Sequence, residues 1–211
     1  MDINAHKQYR LLDPVTTVDH VEDLCQHAKM NGIASVCVPP LFVKQAKELL
    51  KDIAIKVSTI IGYPYGYNII EAKLAEIIMA MVDGCDEMEV HINLTALKNA
   101  DWQYLASELS SIAPVVLKKQ KLLTIVVNSA FLTDDEMVKC CDLYGVAGIN
   151  FFSLVASDAD TTALQRRVKT LRAWLADSAK IKIAGPLWDD DQINELVQAG
   201  ADIVSVPFTV K

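Results

Sequence analysis

Glu89, His91 and Asn93 occupy alternate positions in the segment EMEVHIN, and a strand turns alternate side chains to one face. A carboxylate, an imidazole and an amide on one face can move a proton and hold an oxygen, as acid–base work on a carbonyl compound requires. A lysine, Lys182, lies in a second strand-like run, KIKIA (180–184). Lysine attacks a carbonyl only when neutral, and burial lowers its pKa towards working pH. Lys182 is therefore either a Schiff-base nucleophile, with Glu89 or His91 moving protons, or one half of a buried ion pair with Glu89, since neither stays charged alone. Acid–base chemistry by Glu89 and His91 without a Schiff base is a third reading. The four histidines, His6, His20, His27 and His91, form neither HxxxH nor HxH, so no metal site and no cofactor is expected. The five cysteines, Cys25, Cys37, Cys85, Cys140 and Cys141, are irregularly spaced without a CxxC and read as reduced core thiols. Tyr63, Tyr65 and Tyr67 alternate in a loop and either line a pocket or pack over its rim.

Eight short apolar runs are available to position these groups: 9–12, 34–38, 55–60, 87–92, 122–127, 148–152, 180–184 and 202–206. Most are rich in Val and Ile, as buried parallel strands are. Helical patterns lie between them at 18–31, after Pro40, and at 69–83, 101–112, 133–144, 160–176 and 189–199. In the first, Val21, Leu24, Cys25 and Ala28 share a face and Gly32 suits the end. The pattern at 69–83 gathers Ile70, Leu74, Ile77, Ile78 and Met81 before Gly84. Strict alternation predicts an α/β fold, a closed (β/α)8 TIM barrel forming a single domain over 1–211. The open doubly wound alternative calls for a Gly-rich turn after a strand, and neither GxGxxG nor GxxxxGK[ST] occurs. Catalytic groups on such a barrel come from C-terminal strand ends, towards which both Glu89 and Lys182 lie. The chain stops at Lys211, directly after the eighth strand, so the eighth helix is expected to be short or missing. Residues 1–8, or a second copy in a homodimer, would then cover the outer face of strands eight and one.

Composition narrows the partners. With 52% hydrophobic and 22% charged residues the chain can build a sizeable core. A net charge of −7, a pI near 5.1 and no basic run argue against nucleic acid and against an anionic membrane surface. The N-terminal MDINAHKQYR lacks the apolar centre of a signal peptide, and no stretch approaches the roughly 20 apolar residues that span a bilayer. A cytoplasmic protein is expected.

Several longer segments carry a resemblance: ASVCVPP (34–40) with AKELLK (46–51), KVSTIIGYPYGYNIIEAK (56–73), DEMEVHINLTALKNAD (86–101), FLTDDE (131–136) and AGADIVS (199–205). Taken together, from about residue 21 to 205 and almost without gaps, the chain resembles the deoxyribose-phosphate aldolase family. The resemblance implies a TIM barrel with a Schiff-base lysine on strand six, a second lysine on strand seven and an aspartate on strand four. Aligning Ala147–Gly148 without gaps puts Ser153 at the Schiff-base position, and a small shift puts Asn150 or Phe152 there. The strand-four aspartate becomes Glu89, the strand-five glutamate becomes Asn128, and the Asp-His pair of strand one becomes Gln8–Tyr9. The strand-seven lysine survives as Lys182. Cys37 matches a position commonly cysteine and reads as core packing. The family's phosphate-binding Gly-Gly and Ser-Ser turns become GPLWDDD (185–191) and VPFTV (206–210). Pro186 has no N–H to offer, and Asp189, Asp190 and Asp191 repel an anion, besides suiting a helix cap. A phosphorylated sugar is therefore not expected.

The residues point to an aldolase-like carbon–carbon lyase acting on a small carbonyl or sugar-like compound, with Lys182, Glu89 and His91 catalytic and Ser153, Asn128 and Asn93 holding substrate. The alternative is a catalytically inactive pseudoenzyme acting as a binding or interaction protein. A different carbonyl or hydrolytic enzyme using Glu89, His91 and Asn128 is a third, weaker option.

Overall fold

The alternation of apolar runs and amphipathic segments resolves, in a computed structural model that describes residues 2–156 and 160–210, into a closed parallel barrel wrapped by helices. The strands are β1 Lys7–Arg10, β2 Ser35–Val38, β3 Lys56–Ile61, β4 Glu87–His91, β5 Leu122–Asn128, β6 Phe151–Val155, β7 Lys180–Ala184 and β8 Ile203–Pro207. They pair in sequence order, and β8 closes on β1. The helices are α1 Val18–Asn31, α2 Val43–Leu49, α3 Ile70–Val82, α4 Leu94–Lys98, α5 Trp102–Leu117, α6 Asp134–Gly145, α7 Thr161–Trp174 and α8 Asp190–Gln198.

Local chemistry accounts for the helix ends. Thr17, Thr133 and Asp189 close capping boxes with His20, Glu136 and Gln192. Gly32 ends α1 in the left-handed conformation at φ 61°, and α1 buries the four residues its periodicity indicated. Outward strand residues such as Val36, Val57, Met88, Leu123, Phe152, Leu154, Ile181, Ile183 and Val204 pack under the helices as the main core. The inside of the barrel is polar instead: Gln8, Ser58, Glu87, Glu89, Thr124, Ser153, Lys182 and Ser205 are all buried.

Four elements depart from the expectation. β1 spans Lys7–Arg10 rather than 9–12, because its polar residues Lys7 and Gln8 find partners while Leu11 already lies beyond the strand. β6 starts at Phe151 rather than 148, since Gly148 takes a positive φ of 70° and the Asn150 side chain accepts from Leu123 N–H in a connecting turn. α4 was not foreseen; Asn93 caps it, its Oδ1 accepting from Ala96 N–H at 2.9 Å. On α3 the buried positions are Lys73, Ile77 and Ala80, whereas Ile78 faces out.

Among the described residues no helix follows β8. Phe208 N–H donates to Arg10 C=O at 2.8 Å, and its ring lies 5.7 Å from Tyr9 and 5.3 Å from His27. At the other end of the chain a 3-10 turn, Ile3–His6, packs on α8, with the His6 ring 2.9 Å from Asp202 C=O. Lys7 pairs with Asp190 at 2.7 Å. None of the described helices is long and apolar enough to cross a membrane.

Candidate active site

Period-two alternation on β4 aims Glu87, Glu89 and His91 into the barrel, and β7 aims Lys182 at the same point from the opposite wall. The Lys182 ammonium donates to Glu87 Oε1 and, at 3.0 Å, to Glu89 Oε1. Thr124 Oγ1 donates to Glu87 Oε1 at 2.5 Å. Glu89 Oε1 accepts two further bonds, from Gln8 Nε2 at 2.8 Å and Ser58 Oγ at 2.9 Å. The Phe151 ring centroid lies 5.2 Å from Lys182 Nζ. Burial by itself lowers a lysine's pKa; here the two carboxylates outweigh it and hold Lys182 above its ordinary value. Burial likewise pushes Glu89 up, but Lys182, Gln8 and Ser58 pull it below the usual carboxylate range. The ammonium form of Lys182 is thus the favoured one, opposite to the lowering that desolvation alone leads one to expect.

Above this cluster, at the C-terminal mouth of the barrel, a cavity of about 170 Å³ is lined by Glu89, His91, Asn128, Ser153, Arg10 and Tyr63, among others. Lys182 is not in that lining and is 0% exposed. His91 is driven down to about 4 by burial, against the opposing pull of Glu89 and a hydrogen bond to Pro64 C=O, so its ring is neutral at physiological pH. The loop after β3 roofs the cavity. Gly66 makes this possible: at φ 67°, a Cβ there would meet Ile92 C=O at 2.0 Å, so only glycine lets the loop press onto the end of β4. Tyr63 then meets His91 edge to face, with ring centroids 5.3 Å apart.

The turn after β7 is filled by the protein itself. A Cβ at Gly185 would lie 2.3 Å from the Trp188 ring, which packs directly against the Gly185 backbone and is almost wholly buried. Asp189 caps α8, its Oδ1 accepting from Gln192 N–H at 2.8 Å, and Asp190 pairs with Lys7. After β8, Phe208 folds back on β1.

Of the residues singled out by sequence, the structure brings Glu89, His91, Asn128 and Ser153 together around one cavity. Ser153 stands beside Lys182 in the β6–β7 register, and its buried hydroxyl has no hydrogen-bond partner. Asn128 also accepts from Ala130 N–H at 2.9 Å. Asn93 is set apart: β4 ends at His91, and the Asn93 side chain caps α4, away from this cavity, so the three-residue face expected on β4 stops at two. The sequence reading missed Arg10, Glu87 and Lys73. Arg10 interrupts the run YRLL, which marks it in hindsight; Glu87 shares the alternation of Glu89 and was open to the same argument. Lys73 is buried on α3 and donates to His91 C=O at 2.7 Å and Glu108 Oε1 at 2.6 Å, a placement no helical period announces.

Among known proteins, the deoxyribose-phosphate aldolase of Thermoanaerobacter pseudethanolicus is 32% identical over 212 residues, covering 100% of this chain and 95% of that protein. The same enzyme of Thermococcus gammatolerans is 30% identical over 213 residues, again covering 100% and 95%. The solved structure of the tetrameric deoxyribose phosphate aldolase from Aeropyrum pernix superposes with a TM-score of 0.85 at 19% identity, covering 96% of this chain and 86% of that one. No family model matches the chain. Full-length similarity at this level, carried on the same closed barrel, places the chain in the deoxyribose-phosphate aldolase family.

Proposed function

We propose that this barrel binds a small carbonyl or sugar-like compound at its mouth without forming a Schiff base, and that it is inactive as a deoxyribose-phosphate aldolase. One observation carries the reading: the single strand-borne lysine at the centre of the barrel is fully buried, paired with Glu87 and Glu89, and favoured in its charged form. A lysine whose pKa is not lowered below 10.5 is neutral in fewer than about one molecule in a thousand at pH 7, too few to serve as a nucleophile. Ser153 in the neighbouring strand supplies no amine in its place. The Trp188 ring on Gly185 and the proline that follows it leave no N–H cradle for a phosphate, which supports an unphosphorylated ligand.

A second reading keeps carbon–carbon lyase chemistry, by acid–base catalysis alone. The ionised Glu89 and neutral His91 facing one cavity favour it, since together they can take up and return a proton.

Incubation with acetaldehyde and borohydride, followed by mass mapping, tests the proposal. No two-carbon adduct is expected at Lys182. An adduct there that disappears in Lys182→Ala would overturn it.

The acidic surface supports neither nucleic acid nor an anionic membrane as partner. We further propose a homodimer formed through the outer face of α3, where Ile78, Met79 and Val82 stand exposed on one side of the helix. The tetrameric state of the Aeropyrum pernix protein supports self-association of this barrel.

A further inference from the structure

Charge around the mouth cavity is unevenly satisfied. Glu89 is paired with Lys182, which it shares with Glu87, and its Oε1 already accepts from Gln8 and Ser58. Arg10, on the opposite wall, makes no ion pair among the described residues; its one hydrogen bond runs from NH2 to the neutral Gly185 C=O at 2.9 Å. A guanidinium carries five N–H donors in a planar fork, and a partly buried one without a counter-ion is costly unless an anion reaches it. Among the described residues three more polar atoms on the inner wall lack partners, Gln8 Oε1 and two serine hydroxyls. Ser153 Oγ, in the cavity lining, is buried without a hydrogen bond, and so is Ser205 Oγ, whose strand position lies between Ala184 and Gln8. A wall that offers an unpaired guanidinium and an unused hydroxyl, in a space of about 170 Å³, asks for a small ligand with an anionic end and an oxygen next to it.

We infer that the barrel mouth is a binding site for a small 2-oxo acid, whose carboxylate lies on the Arg10 fork and whose carbonyl oxygen accepts from Ser153 Oγ. This rests on the reading above, that the mouth takes a small carbonyl compound. Carboxylate fits better than phosphate for two reasons. The planar fork matches two coplanar oxygens, giving a bidentate pair. The turn that would have to share a phosphate is covered by Trp188 and lacks the Pro186 N–H. Arg10 thereby replaces, from inside the barrel, an anion site that the loops no longer present.

Calorimetric titration of the full chain tests this with pyruvate as the probe, methyl pyruvate as the same carbonyl without the charge, and inorganic phosphate as the competing anion. Pyruvate is expected to bind, with methyl pyruvate and phosphate each at least tenfold weaker. Arg10→Gln should weaken pyruvate at least tenfold. Arg10→Lys, which keeps the charge and loses the fork, should fall between, and Arg166→Gln on α7 should leave binding unchanged. Circular dichroism melting confirms that each variant is folded. Undiminished pyruvate binding in Arg10→Gln, phosphate displacing pyruvate at matching concentration, or no binding at all would overturn the inference. Methyl pyruvate binding as tightly as pyruvate would also overturn it while leaving the barrel-mouth reading intact. A borohydride adduct of pyruvate at Lys182 would instead bring down the Schiff-base-free reading, whatever Arg10 does.

Discussion

His91 shows how burial alone sets a protonation state at this site. Its pKa falls from 6.5 to about 4, mainly because the ring is desolvated, although the Glu89 carboxylate pulls the other way. Between those two values the unfolded chain holds a proton on this histidine and the folded chain does not, so folding stability rises with pH across that window and is lost as pH falls through it. From pH 7 to pH 5 the loss amounts to about 2 kcal/mol. His91→Gln should therefore lose about 2 kcal/mol less than the parent over that interval, measured by urea unfolding at each pH. Glu89, held below its ordinary value, adds a loss of the same sign at lower pH and does not disturb the comparison. The alternation on β4 made Glu89 and His91 legible in advance. The same alternation covers Glu87, but it did not reveal that Lys182 would be shared by both carboxylates, because Lys182 reaches them from across the barrel.

Elements hold the mouth together through a second buried ion pair. Lys73 of α3 meets Glu108 of α5 at 2.6 Å and also donates to His91 C=O, tying two helices to the end of β4. Burial lowers Lys73 and raises Glu108, and each partner offsets the other's shift only in part. Removing one partner from such a pair typically costs about 3–5 kcal/mol, whereas replacing both with apolar residues restores much of it. Lys73→Met should lower stability by that amount in denaturant unfolding, and Lys73→Met with Glu108→Leu should recover at least half of the loss. Helical periodicity placed Ile78 inside and left Lys73 unremarked on α3. The mistake is physical: an amphipathic pattern ranks residues by apolarity, and a lysine with two acceptors at hand outcompetes an isoleucine for the inner face.

For the molecule as a whole, the same helix leaves an apolar face outside. Ile78, Met79 and Val82 are 49%, 58% and 73% exposed, and their 3- and 4-residue spacing sets them side by side. Exposed apolar patches of this kind mark interaction sites, and the proposed homodimer would place a second copy there. Sedimentation velocity is expected to show a dimer for the parent chain and a monomer for Met79→Glu, with unchanged circular dichroism; a monomeric parent chain would refute the homodimer. Met79 is exposed and lies away from the polar barrel interior, and its replacement takes the net charge only from −7 to −8, so the change in mass would report on the surface.

Sequence by itself determined the architecture, because strand and helix periods are local, short-range properties. Val- and Ile-rich runs at 34–38, 55–60 and 180–184, separated by capped amphipathic segments, admit few arrangements other than a parallel barrel. That Ser153 and the turns at 185–191 and 206–210 depart from the family's lysine and phosphate turns was an expectation carried by the resemblance. Tertiary structure alone decided which polar groups meet. The three-residue offset of β6, the turn of Asn93 into a helix cap, and the seating of Trp188 on Gly185 all depend on contacts between residues distant in sequence or on local caps that compete with the strand pattern. Above all, the sequence left Lys182 either a neutral nucleophile or one half of an ion pair with Glu89. Two glutamates on the facing strand give the ion pair, since a buried charge follows its nearest partners more than its burial.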